Sequence, residues 1–504
     1  MDMDTLLSFN WSLMMPEFVI LAAAVVLSIL DLLMPKEIGR RVLGWFAFVS
    51  VLLSLVMVIG LNGAEPGSIL YDTFVLDAFA KAFKIVLLIG AALVLLLAID
   101  HRPAGGMKPY QGEFFYLFLT ALLGGMIMTS SADLITLFVG LELLSVSSYI
   151  LAGMRKHSIK STEAAMKYVV NGGISTAIVL FAMSYLYGLS GTTNLYELSN
   201  QFAIETNAQY QYIAGLSFFI LLVGLSFKLA TVPFHMWAPD VYEGAPTPVT
   251  AFLSIVSKAA GFALLIRVVV TVFMTATMDS IGFLSIFTAN DHYIAVLAGI
   301  TMLVGNIIAL RQRSLKRMLA YSSIGHAGYL LAAVAAFGQY TIEALWFYLI
   351  AYVFMVAGAL AIVQYVGGDG EEDDIYTVAG LYKRAPGLAI SMTIFLLSLA
   401  GIPLTAGFIG KLNIFISFFA KEDGNYILAA IMLIATIISY VFYFNVMVHM
   451  YARPGEERRE RPVSLPMGLA IGLCVAGTLA LGIFPSILLE FFQGNFADMM
   501  NLLR

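Results

Sequence analysis

The stretch FKLATVPFHMWAPDVYEGAPTPVTAFLSIVSKAAGFALLIR, residues 227–267, decides how this chain reads. Both ends are apolar and helix-forming, but Pro233, Pro239, Pro246 and Pro248 crowd the middle. Proline lacks a backbone donor and breaks a helical ladder. Lys228 stands just before the break. Lys258 comes ten residues after Pro248, about 15 Å along a helix and so deep in the next apolar run. If the surroundings are hydrocarbon, each buried ionisable side chain costs roughly 2.5–3.5 kcal/mol on insertion scales. Broken backbone survives there only beside protein or water.

The rest of the chain supplies that surrounding. Of 504 residues, 60% are hydrophobic and only 12% charged, about half the charged share of soluble domains. A mean hydropathy of +0.90 leaves no room for a large soluble domain. A net charge of −5 argues against nucleic acid as a partner. One cysteine, Cys474, excludes an internal disulfide. One Cys and six scattered His do not supply haem, iron–sulfur or zinc ligand spacings, so no cofactor or metal is expected in this chain. The N-terminus carries Asp2, Asp4 and Glu17 before or at the first apolar run and no basic residue, which reads as a retained span rather than a cleaved signal.

A helix needs about 20 mostly apolar residues to cross the bilayer. Runs of that kind lie near 16–34, 41–61, 75–99, 113–130, 132–153, 161–188, 210–232, 247–273, 293–311, 318–337, 341–366, 387–418, 426–451 and 464–486. The expected fold is therefore all-α and integral to the membrane, with about fourteen spans. The stretch 275–292, with Asp279, Asn290 and Asp291, is expected to be a loop. Eighteen of the 27 Lys and Arg then fall in loops on one side, and only Lys421 and Arg504 on the other. The positive-inside rule places the basic face in the cytoplasm and both termini outside.

Spans 7 and 12 are both interrupted, the second by Gly401, Pro403 and Gly407. They lie five spans apart. Spans 4–8 and 9–13 thus read as two five-helix repeats, and an odd number of spans inverts the second. The expected division is an N-terminal three-helix segment at 1–112, repeats at 113–273 and 293–451, and a C-terminal helix and tail at 452–504.

The ionisable residues inside spans are Glu142, Lys167, Lys228, Lys258 and Lys411, with Lys81, Lys84 and Arg267 nearer the span ends. Too few acids lie at the depth of Lys228, Lys258 and Lys411 to neutralise all three. Burial disfavours charge, so such amines exchange protons readily under the influence of a neighbouring carboxylate. Glu142, Ser145 and Tyr149 share one helix face by spacing, a polar stripe suited to water. Lys167 is spaced to pair with Glu163, and Asp77 with Lys81. Lys81, Lys84 and Arg267 are expected to snorkel to the surface.

The stretch 227–267 also closely resembles the signature of the antiporter-like subunits of respiratory complex I, the NADH:quinone oxidoreductase. LKRMLAYSSIGHAGYLL (315–331) and AGIPLTAGFIGKLNIF (400–415) resemble two further signatures of that family. The resemblance covers roughly spans 4 to 13. Lys411 separates the chain from the branch expected to carry Glu there, and no long C-terminal extension marks it as the branch with a lateral helix. The resemblance implies that Glu142 and Lys228 form the family's Glu–Lys pair, that Lys258 is the central lysine and Lys411 the outward one, and that Lys167 is the additional span-6 lysine. His326 matches the span-10 histidine, and His235 lies in the span-7 break. It further implies a proton-translocating subunit with other membrane subunits, lipid, protons and water as partners. NADH, FMN, iron–sulfur clusters and quinone would be bound by other subunits, and quinone reduction there would drive the protons. A subunit of a multisubunit Na⁺/H⁺ antiporter or membrane-bound hydrogenase, and a structural membrane scaffold without an active path, are the competing expectations.

Overall fold

The structure is a computed structural model. It describes residues 8–35, 38–101, 110–204, 208–274, 285–338, 340–370, 373–419, 424–455 and 462–496.

The chain folds as α1 (Met15–Leu33), α2 (Arg41–Gly60), a small hairpin of β1 (Gly67–Ile69) and β2 (Phe74–Leu76), α3 (Ala78–Ile99), α4 (Gln111–Ser130), α5 (Leu134–Ala152) and α6 (Ile159–Ser190). A short α7 (Leu195–Ile204) precedes α8 (Ala208–Leu229) and the half-helix α9 (Trp237–Gly244). Then come α10 (Thr247–Phe273), α11 (Ile286–Ala309), α12 (Leu315–Ala335) and α13 (Thr341–Gly367). The last elements are α14 (Pro386–Ala400), α15 (Ala406–Ser417), α16 (Tyr426–Ala452), α17 (Leu465–Ile483) and α18 (Pro485–Phe496). Thirteen described helices are long and apolar enough to cross a membrane. The expected span 387–418 is present as two shorter apolar helices, α14 and α15. The protein is an all-α integral membrane protein.

Local chemistry sets the helix ends. Asp77 accepts from the Ala80 amide at 2.7 Å, and Asp133 from the Ile135 and Thr136 amides at 2.8 and 3.1 Å, which satisfies otherwise unpaired first-turn donors. Ser314 accepts from the Arg317 amide at 3.0 Å. Ser285 and Thr288 form a reciprocal capping box. That cap starts α11 at Ile286, so Asn290 and Asp291 are helical and not in the expected loop; residues 275–284 lie outside the described set.

Helices α10 and α12 are wholly enclosed, and α3 and α13 nearly so. Peripheral helices such as α1, α2, α6 and α16 bury only about a third of their residues and expose apolar side chains, as lipid-facing helices do. This enclosure corrects the snorkelling expectation. Lys84 Nζ lies 2.6 Å from Glu17 Oε1, and both side chains are buried. Arg267 is 1% exposed and meets Asp77 through both terminal nitrogens, at 2.5 and 3.0 Å. Asp77 is thereby engaged, and Lys81 instead donates to the Ala64 carbonyl at 2.7 Å. These side chains stay inside because α3 and α10 have no face on the surface.

Candidate functional site

Helix α8 ends at Leu229, Ala230 turns with a positive φ of 55°, and the chain runs irregularly to α9. The Trp237 indole donates to the Phe227 carbonyl at 2.9 Å, which satisfies one acceptor freed at the break. Lys228, in the last turn of α8, is 6% exposed and donates to the Ser145 hydroxyl at 3.1 Å. Its stem packs on α10: a Cβ at Gly261 would stand 3.3 Å from Lys228 Cγ. Glu142 lies one turn before Ser145 on α5 and interacts electrostatically with the Lys228 ammonium. No ion pair joins the two among the described residues, and Glu142 Oε1 is buried without a hydrogen-bond partner there.

Lys258 follows a π-helical turn, Leu253–Ser257, in α10. Such turns recur at functional positions. It is 2% exposed, and its ammonium donates to the Ser323 carbonyl at 2.5 Å and to the Ser323 hydroxyl. Ser323 opens a polar stripe on α12. His326 is one turn on, its Nδ1 hydrogen-bonded with the Tyr348 hydroxyl and its Nε2 3.3 Å from the Tyr443 hydroxyl. Tyr443 shares a further 2.5 Å hydrogen bond with Ser322. Tyr329 follows by another turn, and its ring lies 4.8 Å from the Lys411 ammonium. Lys411 donates to the carbonyls of Leu399 and Ala400, both at 3.0 Å. Those are last-turn carbonyls of α14, freed because the helix stops there. Cations are favoured at such an end.

The seven expected residues are thus placed unequally. Lys228, Lys258, His326 and Lys411 are buried, and the i, i+3, i+6 spacing of Ser323, His326 and Tyr329 spans from Lys258 to Lys411. His235 is buried in the break, where its ring faces the Pro233 backbone. Lys167 stands apart, 40% exposed and paired with Glu163 at 2.7 Å and with Asp240 at 2.5 Å. Ser323, Tyr348 and Tyr443 were not singled out from sequence. The spacing in YSSIGHAGY carried a signal for the first; nothing local marked the two tyrosines.

Residues 131–439 match the family described as NADH:quinone oxidoreductase/Mrp antiporter, TM. A relative named NADH-quinone oxidoreductase subunit N, from Geobacillus sp. (strain WCH70), is 55% identical over 98% of this chain and its own whole length. The chain belongs to the NADH-quinone oxidoreductase subunit N family. A chain of respiratory complex I from Thermus thermophilus with bound Aureothin is 30% identical, with a TM-score of 0.78 over 94% of this chain and 99% of that one. A chain of the Mrp complex from Dietzia sp. DQ12-45-1b has a TM-score of 0.81 over 98% of this chain and 100% of that one, but is 19% identical and shares the fold alone. Subunit N is an antiporter-like, proton-translocating membrane subunit, and this chain has that subunit's length and fold.

Proposed function

We propose that this chain carries protons through the bacterial inner membrane along Glu142, Lys228, Lys258, His326 and Lys411, with His235 in the span-7 break and Lys167 toward the basic face. The observation that carries this reading is the pairing of the three buried lysines. Each ammonium donates to neutral oxygens, from Ser145, Ser323, or the Leu399 and Ala400 carbonyls. A neutral acceptor leaves an amine free to gain or lose a proton, whereas a contacting carboxylate would pin the charge. Hydroxyl and imidazole groups on α12 fill the space between Lys258 and Lys411, and both kinds of group donate and accept.

In this reading the chain works inside NADH-quinone oxidoreductase. Other membrane subunits are its partners, and NADH, FMN, iron–sulfur clusters and quinone belong to other subunits. Quinone reduction there drives charge changes here. Both termini face outside, and 113–273 and 293–451 are two inverted five-helix units, each with its own helix break. The test is proton pumping by the assembled complex in vesicles carrying Lys228→Ala, Lys258→Met or Lys411→Met. The expected result is a fall in protons moved per electron while quinone reduction persists. Unchanged pumping in all three would leave the chain a scaffold.

A further inference from the structure

Half-helix α9 carries two carboxylates that the proposed route does not use. Asp240 lies 2.5 Å from Lys167 Nζ on α6 and 2.5 Å from Arg317 Nη1 on α12. Glu243 lies 2.8 Å from Lys160 Nζ on α6 and 3.1 Å from the same Arg317 nitrogen. One guanidinium therefore holds both acids, and the acids tie α9 to helices from both halves of the chain. Nearby, Lys316 donates to the Ala245 carbonyl just past α9, at 3.1 Å.

The two ends of α9 are held differently. At the break end, the Trp237 indole stacks on Tyr168 with ring centroids 4.6 Å apart and planes 3° from parallel, and its nitrogen is hydrogen-bonded. At the basic-face end Val241, Tyr242 and Ala245 are buried and the Thr250 hydroxyl donates to the Tyr242 carbonyl at 2.7 Å, while the outer side of α9 is held by ion pairs whose side chains are 19–66% exposed. Eight residues cannot maintain a helix alone, so α9 depends on these contacts. Exposed ion pairs are individually weak and screened by salt. One side of α9 is thus packed against protein and the other is held by screened charge, so weakening the ion pairs loosens the hold on this short helix. The break that leads into α9 carries Lys228 and His235, both buried.

We propose that Arg317 is a positioning residue. It latches α9 through Asp240 and Glu243, and release of the latch admits water from the basic face to the span-7 break. The proposal rests on the route through Lys228 for its purpose, but not for its test. Arginine suits the role because its guanidinium stays charged at any physiological pH and Nη1 carries two N–H donors, one for each acid.

Ala238, on α9, is 1% exposed and provides the probe. In the purified, assembled complex, Ala238→Cys is labelled with a charged, water-soluble maleimide and read on this chain's own peptide; native Cys474 is buried. Labelling is expected to be slow and to accelerate with ionic strength. Adding Arg317→Gln is expected to make it several-fold faster and insensitive to salt, with Arg317→Lys between the two. A rate in Arg317→Gln equal to the parent's overturns the latch. If that variant does not accumulate, the salt series on Ala238→Cys alone decides, and a flat series overturns it. Normal, salt-dependent labelling in a Lys228→Ala complex that pumps normally would count against the route and leave the latch standing.

Discussion

The Lys258 ammonium on α10 is held by the hydroxyl and the carbonyl of one residue, Ser323, on α12. A hydrogen bond to a charged group contributes about 1.5–3 kcal/mol. Ser323→Ala removes the hydroxyl and keeps the carbonyl. Proton transfer through Lys258 is expected to slow by roughly tenfold or more, because a hydroxyl both donates and accepts whereas the carbonyl that remains only accepts. Assembly should survive, because the substitution is small and leaves no charge unpaired. Pumping relative to quinone reduction in vesicles measures it, and an unchanged ratio removes Ser323 from the route.

His326 accounts for two hydroxyls, those of Tyr348 and Tyr443. His326→Phe keeps the ring volume and removes both partners. Tyr443 retains Ser322, but Tyr348 loses a buried partner at a cost of about 1–3 kcal/mol. The expected result is a lower unfolding temperature of the complex together with lost pumping. Tyr348→Phe in the same background should restore stability, since no hydroxyl is then orphaned, while pumping stays lost. Recovery of pumping in that double variant would show that His326 serves packing alone.

Much of this was legible in sequence because its signals are local. Prolines mark the break after Lys228, glycine and proline mark the one before Lys411, and apolar run lengths mark the spans. Lys258 was legible from its depth in a run. The partners were not legible. Arg267 and Asp77 are 190 positions apart, and only the packing of α3 against α10 brings them together. Glu17 read as a residue flanking the first span, yet it is buried against Lys84. Depth along a helix can be counted from sequence. Which face meets which neighbour depends on packing that no local pattern encodes, so an arginine near a span end read as surface-seeking when its helix had no surface. Lys167 shows the converse: its pairing with Glu163 followed from spacing, whereas its bond to Asp240 needed α9 folded against α6.

The Lys84–Glu17 pair gives a stability prediction. Removing one member leaves the other charge buried and alone, which costs about 3–5 kcal/mol. Lys84→Met and Glu17→Leu should each lower the unfolding temperature of the complex and the amount of chain in the membrane. Lys84→Met combined with Glu17→Leu removes both charges and keeps the volume, and is expected to recover most of that loss. Thermal unfolding of the three variants completes the double-mutant cycle. Additive losses would mean that the two side chains do not depend on each other.

Gly401 ends α14 at φ 85°, where a side chain is strained, and a Cβ there would stand 2.9 Å from Lys411 Cδ. Gly401→Ala therefore does two things. It costs about 1–2 kcal/mol of backbone strain, and it pushes the lysine stem away from the Leu399 and Ala400 carbonyls that hold its ammonium. The break itself survives, because Pro403 is untouched. If Lys411 transfers protons from that seat, Gly401→Ala should cut pumping per electron toward the level of Lys411→Met while quinone reduction continues. If the lysine merely fills the break, the substitution should lower stability and leave the ratio alone. Measuring the ratio and the unfolding temperature on the same preparation separates the two, because strain moves only the second and displacement of the ammonium moves the first.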